Sequence, residues 1–105
     1  MGYDLHITRA DDWTDNAGSP IAKHEWLAVA TADDDLFPMP ENGDTFFAFG
    51  DRQDPHAWFD WSDGDVFTEN PDRPTLTKML DLATRLDARV QGDDGELYES
   101  PEDID

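Results

Sequence analysis

Apolar and polar residues alternate strictly in the first run of the chain, YDLHITR, where Tyr3, Leu5 and Ile7 interleave with Asp4, His6 and Thr8. A period of two sends alternate side chains to opposite faces, so the run predicts a half-buried strand. The turn-rich DDWTDNAG follows, and in SPIAKHEWLAVATA the period changes. There Ala22, Trp26, Val29 and Ala30 fall on one helical face, with Leu27 beside it. Ser19 as N-cap and Pro20 in the first helical position predict a helix over residues 20–32, ended by the acidic run Asp33 to Asp35. LFPMPENGD, broken by Pro38, Pro40 and Gly43, reads as a surface loop.

TFFAFG, residues 45–50, is the next strand, followed by the polar loop DRQDPH. AWFDW and DVFTE are then separated by Ser62, Asp63 and Gly64, and Asp-Gly between alternating runs signals a tight hairpin. In the first of these strands Ala57, Phe59 and Trp61 share one face, while Trp58 and Asp60 share the other. NPDRP turns the chain into a second helix, with Asp72 as N-cap and Pro74 in the first turn. Leu76, Met79, Leu80, Ala83 and Leu86 make its apolar stripe, and Lys78, Asp81, Arg85 and Asp87 take wetter positions. ARVQGDDGELYE reads as two short strands around a Gly-Asp-Asp-Gly turn. The order β-α-β-β-β-α-β-β describes an α+β domain with two helices packed on one face of a mostly antiparallel sheet. A chain of 105 residues suits one such unit, residues 1–99, with SPEDID, residues 100–105, as a fraying acidic tail.

Charge changes the picture most. Twenty-six acidic residues against seven basic ones give a formal net charge of -19, which repels phosphate backbones and anionic membranes. Direct nucleic-acid binding is therefore not expected, and a basic protein is the electrostatic complement. An acidic surface also serves solubility or a saline host, without any partner. Twelve aromatic residues and well-separated apolar runs argue against disorder. The chain has no cysteine, so disulfides, thiolate metal sites and a thiol nucleophile are excluded and a reducing cytoplasm is the expected location. MGYDLHITRADDW lacks a basic segment followed by an apolar run, and no apolar stretch approaches the roughly 20 residues that span a bilayer.

Tyr3 to Arg9 (YDLHITR), Trp58 to Gly64 (WFDWSDG), Asn70 to Asp72 (NPD), Lys78 to Leu80 (KML) and Ala88 to Tyr98 (ARVQGDDGELY) together form a pattern over most of the chain. In that pattern the chain resembles a family of small, largely uncharacterised bacterial proteins. The resemblance implies an antitoxin or immunity role beside polymorphic toxins, and it carries over no functional residue. Residues 31–56 lie outside it.

Recognised metal chemistry fails on spacing. An EF-hand counted from Asp60 meets Asp65 where glycine is required, and HEWLA from His24 has Ala28 where the zinc motif needs its second histidine. His6, His24 and His56 are too far apart in sequence to form a local ligand set, although a fold can gather distant residues. GDDG has neither the glycine spacing nor the lysine of a phosphate loop. His6 with Asp4 on the same wet face is the best acid/base pair, and a sheet histidine bonded to its neighbour explains it as well. No enzyme activity, metal or cofactor is expected.

The remaining candidate is an aromatic and acidic surface: Trp58 and Phe67 with Asp60, Asp63 and Asp65, and a second patch of Trp13 with Asp11, Asp12 and Asp15. Aromatic faces attract arginine and carboxylates accept its paired N–H groups, so both patches suit a basic protein. These features predict an inhibitor or immunity-type protein that occludes a basic site, for example on a nuclease-like toxin. Two alternatives stand beside it: an acidic domain whose charge reflects its host, and a small enzyme or ligand binder. The chain is expected to act as a monomer or as a homodimer through an edge strand, with TFFAFG the segment at issue.

Overall fold

The computed structural model describes residues 3–103. Among the described residues seven strands form one antiparallel sheet: β1 (Asp4–Thr8), β2 (Leu36–Pro38), β3 (Phe47–Gly50), β4 (Pro55–Ser62), β5 (Asp65–Glu69), β6 (Arg89–Gly92) and β7 (Leu97–Tyr98). Their spatial order is β2-β3-β4-β5-β1-β6-β7, so the first strand lies between β5 and β6. Two helices, α1 (Lys23–Ala32) and α2 (Arg73–Arg85), complete the α+β architecture.

Register explains the two faces. Ile7 stands opposite Val66 on one side and Val90 on the other, and Phe47 stands opposite Phe59. With Leu5 and Leu36 they join Trp26 and Ala30 of α1 and Leu76, Met79, Leu82, Ala83 and Leu86 of α2 in one buried core. Both helices therefore cover the same face. The alternate residues Ala48, Trp58, Phe67, His6 and Gln91 point to the face that no α-helix covers. Trp26 meets the Phe47 ring edge-on at 5.7 Å, and its Nε1–H donates to the Thr45 carbonyl at 2.8 Å.

The β4–β5 hairpin forms as expected. Ser62 pairs with Asp65, and the two turn residues Asp63 (φ 50°) and Gly64 (φ 96°) both have positive φ. That is the backbone of the type I′ turn that matches strand twist. The second helix also starts where the sequence places it, with the Asp72 side chain accepting from Thr75 N–H at 3.1 Å.

Four local expectations are corrected. The first helix starts at Lys23, not at residue 20. Ser19 ends a 3-10 turn (Trp13–Gly18), and the Ile21 N–H donates to the Gly64 carbonyl at 2.9 Å, which holds Ile21 in the core and delays the helix. Glu25 then accepts from Ala22 N–H at 3.1 Å in place of a side-chain cap. The supposed loop 36–44 contains β2 and a 3-10 turn (Pro40–Asn42). Pro38 is tolerated because β2 is an edge strand, and β2 covers β3, so TFFAFG does not form the open edge. β4 begins at Pro55, which takes Pro55 and His56 out of the polar loop.

The fourth correction concerns charge. Lys78 and Asp33 are not solvated: their side chains are 10% and 3% exposed and meet at 3.0 Å. Asp33 also accepts from Arg85 Nη1 at 3.0 Å and from the Asp35 N–H at 2.8 Å. Arg9 makes a comparable tie. Its Nε–H donates to the Leu86 carbonyl at 2.8 Å, and its two terminal nitrogens reach both Glu25 oxygens at 2.9 and 2.6 Å. One side chain thus joins the end of β1 to the start of α1 and the end of α2. The expected tail includes a 3-10 turn (Pro101–Asp103) against α2. Residues 104 and 105 lie outside the described residues. No helix among the described residues is long and apolar enough to cross a membrane.

Candidate functional site

His6 is at the centre of the site because β1 lies inside the sheet. Its period-two neighbours Leu5 and Ile7 are fully buried on the helix side, which turns the imidazole to the opposite face. There Nδ1 lies 2.7 Å from Asp65 Oδ2, and Nε2 lies 3.0 Å from Asp93 Oδ1. The His6 and Asp65 side chains are 7% and 9% exposed. Asp93 is held by its other oxygen, which accepts from the Asp4 N–H at 3.0 Å.

Trp13 closes one side. Asp12 caps the 3-10 turn by accepting from Thr14 N–H at 3.0 Å, and this places the Trp13 ring flat on His6 with centroids 3.8 Å apart. The indole Nε1–H donates to the Asp93 carbonyl at 3.1 Å, and the Trp13 N–H donates to Gln91 Oε1 at 2.8 Å. Gln91 in turn donates to the Asp11 carbonyl at 2.6 Å. The imidazole is therefore fixed in plane by two carboxylates and in tilt by an indole. A cleft of about 560 Å³ opens above it, lined by Asp4, Asp63, Asp93, Trp13, Thr14 and Phe67 among others, with no lysine or arginine in its walls.

Carboxylates only accept, so a histidine bonded to one at each nitrogen donates twice and is an imidazolium. Burial pushes the His6 pKa down, but the hydrogen bonds to Asp65 and Asp93 outweigh it and the pKa stands above its ordinary value. Asp4 is raised, first by burial and then by repulsion from Asp93. Burial also pushes Asp93 up, yet the Asp4 N–H and the His6 ring hold it below the usual carboxylate value. With both nitrogens engaged, His6 has none free to abstract a proton until its bond to Asp93 opens.

The aromatic part of the face lies beside this cleft. Trp58 stacks on Phe46 at 5.2 Å and meets Phe67 edge-on at 5.6 Å; Phe67 and His6 are directly opposite across β5 and β1. Arg52 covers Phe37 at 5.1 Å at the far end of the face.

No protein-family model matches the chain, and no curated protein or solved structure shows significant similarity to it.

Trp58, Phe67 and Asp63 share the helix-free face, and Trp13 and Asp65 join the same cleft, so the two patches expected from the sequence meet in one place. Asp65 is not a surface carboxylate: it is buried beneath His6, whose ring consumes it. Asp60 is half-engaged, accepting from Thr45 Oγ1 at 2.6 Å and from the Trp61 N–H at 2.9 Å. Asp12 serves as a cap, and Asp11 projects into solvent with Arg89 at 3.3 Å. The pair Asp4 and His6 was legible from their shared strand face. Asp93, from the Gly-Asp-Asp-Gly turn, was not, because only the pairing of β6 with β1 brings it there.

Proposed function

We propose that this chain is a non-enzymatic binding protein, of inhibitor or immunity type, whose helix-free sheet face receives a basic segment of a partner protein. The observation that carries this reading is the composition of that face. The half-buried row Phe46, Trp58 and Phe67 runs into a cleft whose walls carry Asp4, Asp63 and Asp93 besides the buried Asp65, and no lysine or arginine. Most basic side chains are engaged elsewhere: Arg9 with Glu25, Lys23 with Asp44, Lys78 and Arg85 with Asp33, and Arg89 with Asp11. An incoming guanidinium meets ring faces and carboxylate oxygens together, the pair of contacts that suits arginine. Occlusion needs no chemistry from this chain, since its carboxylates take the places that substrate phosphates occupy on a basic enzyme. A nuclease-like toxin has the right charge for such a partner. The alternative of host-adapted acidity draws on the carboxylates outside this face, such as Asp34, Asp51, Asp54 and Glu99.

The test is affinity capture from a lysate of the native host at low and moderate salt, with wild type beside a folded Trp58→Ala, Asp63→Lys double variant. Stoichiometric retention of one basic protein by wild type, and its loss from the variant, is the expected result. A partner held equally by both proteins refutes the reading, as does capture of nothing specific.

A further inference from the structure

We propose that Asp4, His6 and Asp93 bind a divalent transition-metal cation of the zinc class, through His6 Nε2 and one carboxylate oxygen from each aspartate. One potential ligand atom from each of the three residues lies within 4.8 Å of the others. Ligand bonds of about 2.0–2.1 Å in tetrahedral geometry put donors roughly 3.3 Å apart, so the 3.0 Å from His6 Nε2 to Asp93 Oδ1 is close to one edge of a site, and Asp93 Oδ1 moves off the Nε2 axis to admit the ion. The Asp4 oxygen, within 4.8 Å of the other two donors, closes on them as the ion binds.

Three further features separate this group from a chance gathering of acids. His6 Nδ1 faces the buried Asp65 carboxylate at 2.7 Å, the arrangement that fixes the tautomer of metal-bound histidines and strengthens Nε2 as a donor. The Trp13 ring lies parallel to the imidazole, within 5°, and prevents it from turning away. Asp93 has one oxygen anchored by the Asp4 N–H, which leaves the other aimed at Nε2. The cation replaces the proton shared between Nε2 and Asp93, and that proton passes to solvent. A fourth coordination position then faces the open cleft, where water or a donor from another molecule completes the shell. Imidazole with carboxylates favours zinc-class ions over magnesium and calcium, which prefer oxygen alone.

This inference does not rest on the occlusion reading, because its test uses the isolated 105-residue chain. Chelator-treated protein is titrated with Co²⁺, followed by visible d–d absorption, and with Zn²⁺ by calorimetry. One equivalent should bind, with at least tenfold weaker binding for His6→Gln and Asp93→Asn and about 10–100-fold weaker binding for Asp65→Asn. Nitrogen-15 spectra of wild type provide a readout independent of variant folding: zinc should move the His6 Nε2 resonance and leave His24 and His56 in place. The proposal is overturned by a His6 ring signal indifferent to zinc. It also falls if binding is unchanged in the folded variants, or if magnesium binds as tightly as zinc, since either result marks diffuse attraction to carboxylates.

Discussion

Replacing Asp33 by alanine should cost about 3 kcal/mol, although its position in an acidic run suggests a dispensable surface residue. The Asp33 carboxylate is 3% exposed and accepts from Lys78, Arg85 and the Asp35 N–H. Its removal leaves the Lys78 ammonium, itself 10% exposed, with Asp35 as its remaining carboxylate at 3.0 Å. Breaking a buried pair from one side costs about 3–5 kcal/mol; retained Asp35 and the half-exposed Arg85, which keeps Asp81 at 3.1 Å, place this case at the lower end. For a domain of this size the loss corresponds to roughly 12–18 °C in Tm. Replacing both members, Asp33→Leu with Lys78→Met, should cost under about 1 kcal/mol, because no unpaired charge remains buried.

The pH dependence has a defined sign. Burial pushes the Asp33 carboxyl up, but Lys78, the Asp35 N–H and Arg85 bring it below its ordinary 3.8. Its stabilisation is therefore complete above pH 3.8 and disappears as pH falls through the lower folded-state value. Urea unfolding followed by tryptophan fluorescence, on wild type and both variants from neutral pH downward, measures all of this. A loss below 1 kcal/mol in Asp33→Ala, or a double variant as unstable as the single one, would refute the account of this buried pair.

Gly64→Ala should lower stability by at least about 1–2 kcal/mol in thermal unfolding, since φ is +96° and the new Cβ would lie 2.9 Å from Pro20 Cβ. Trp13→Ala should cost about 2–3 kcal/mol by urea titration through loss of the ring on His6 and of the bond to the Asp93 carbonyl; a change within 0.5 kcal/mol would contradict that packing. Arg9→Lys should cost about 1–2 kcal/mol in the same assay, because an ammonium cannot reproduce the paired bonds to Glu25 together with the bond to Leu86. In metal-free protein the His6 ring should titrate above 6.5 by NMR, so its stabilisation is full below pH 6.5 and is lost as pH rises through the higher folded-state value. Asp65→Asn should bring that midpoint down.

Local periodicity made β1, the β4–β5 hairpin and α2 legible, because in each the apolar pattern and the cap or turn chemistry agree. Ser19-Pro20 carried an equally good helix-start signal, yet the Gly64 carbonyl claims the Ile21 N–H and Pro20 packs on the hairpin turn. A contact across more than forty residues thus prevails over local propensity. Leu36 and Phe37 looked like loop because their prolines dominate a short window; pairing with Phe49 and Ala48 makes them a strand. Lys78 looked wet because helical spacing cannot show that Asp33 approaches from another element. The site obeyed the same rule. Trp58 facing away from Phe59 was readable from alternation, whereas the Asp65–His6–Asp93 line depends on strand order, for which neither period nor composition has a signature.

That strand order also sets a timetable. β1 is synthesised before its sheet neighbours β5 and β6, which begin only at Asp65 and Arg89. His6 must wait for residue 65 to satisfy one ring nitrogen and for residue 93 to satisfy the other. A nascent chain can form the Asp63-Gly64 hairpin early, while the cluster that gathers Asp4, His6 and Asp93 comes into being only after residue 93 has been made. Whatever cation or basic group that face takes, it has no cluster to recognise until residue 93 has joined His6.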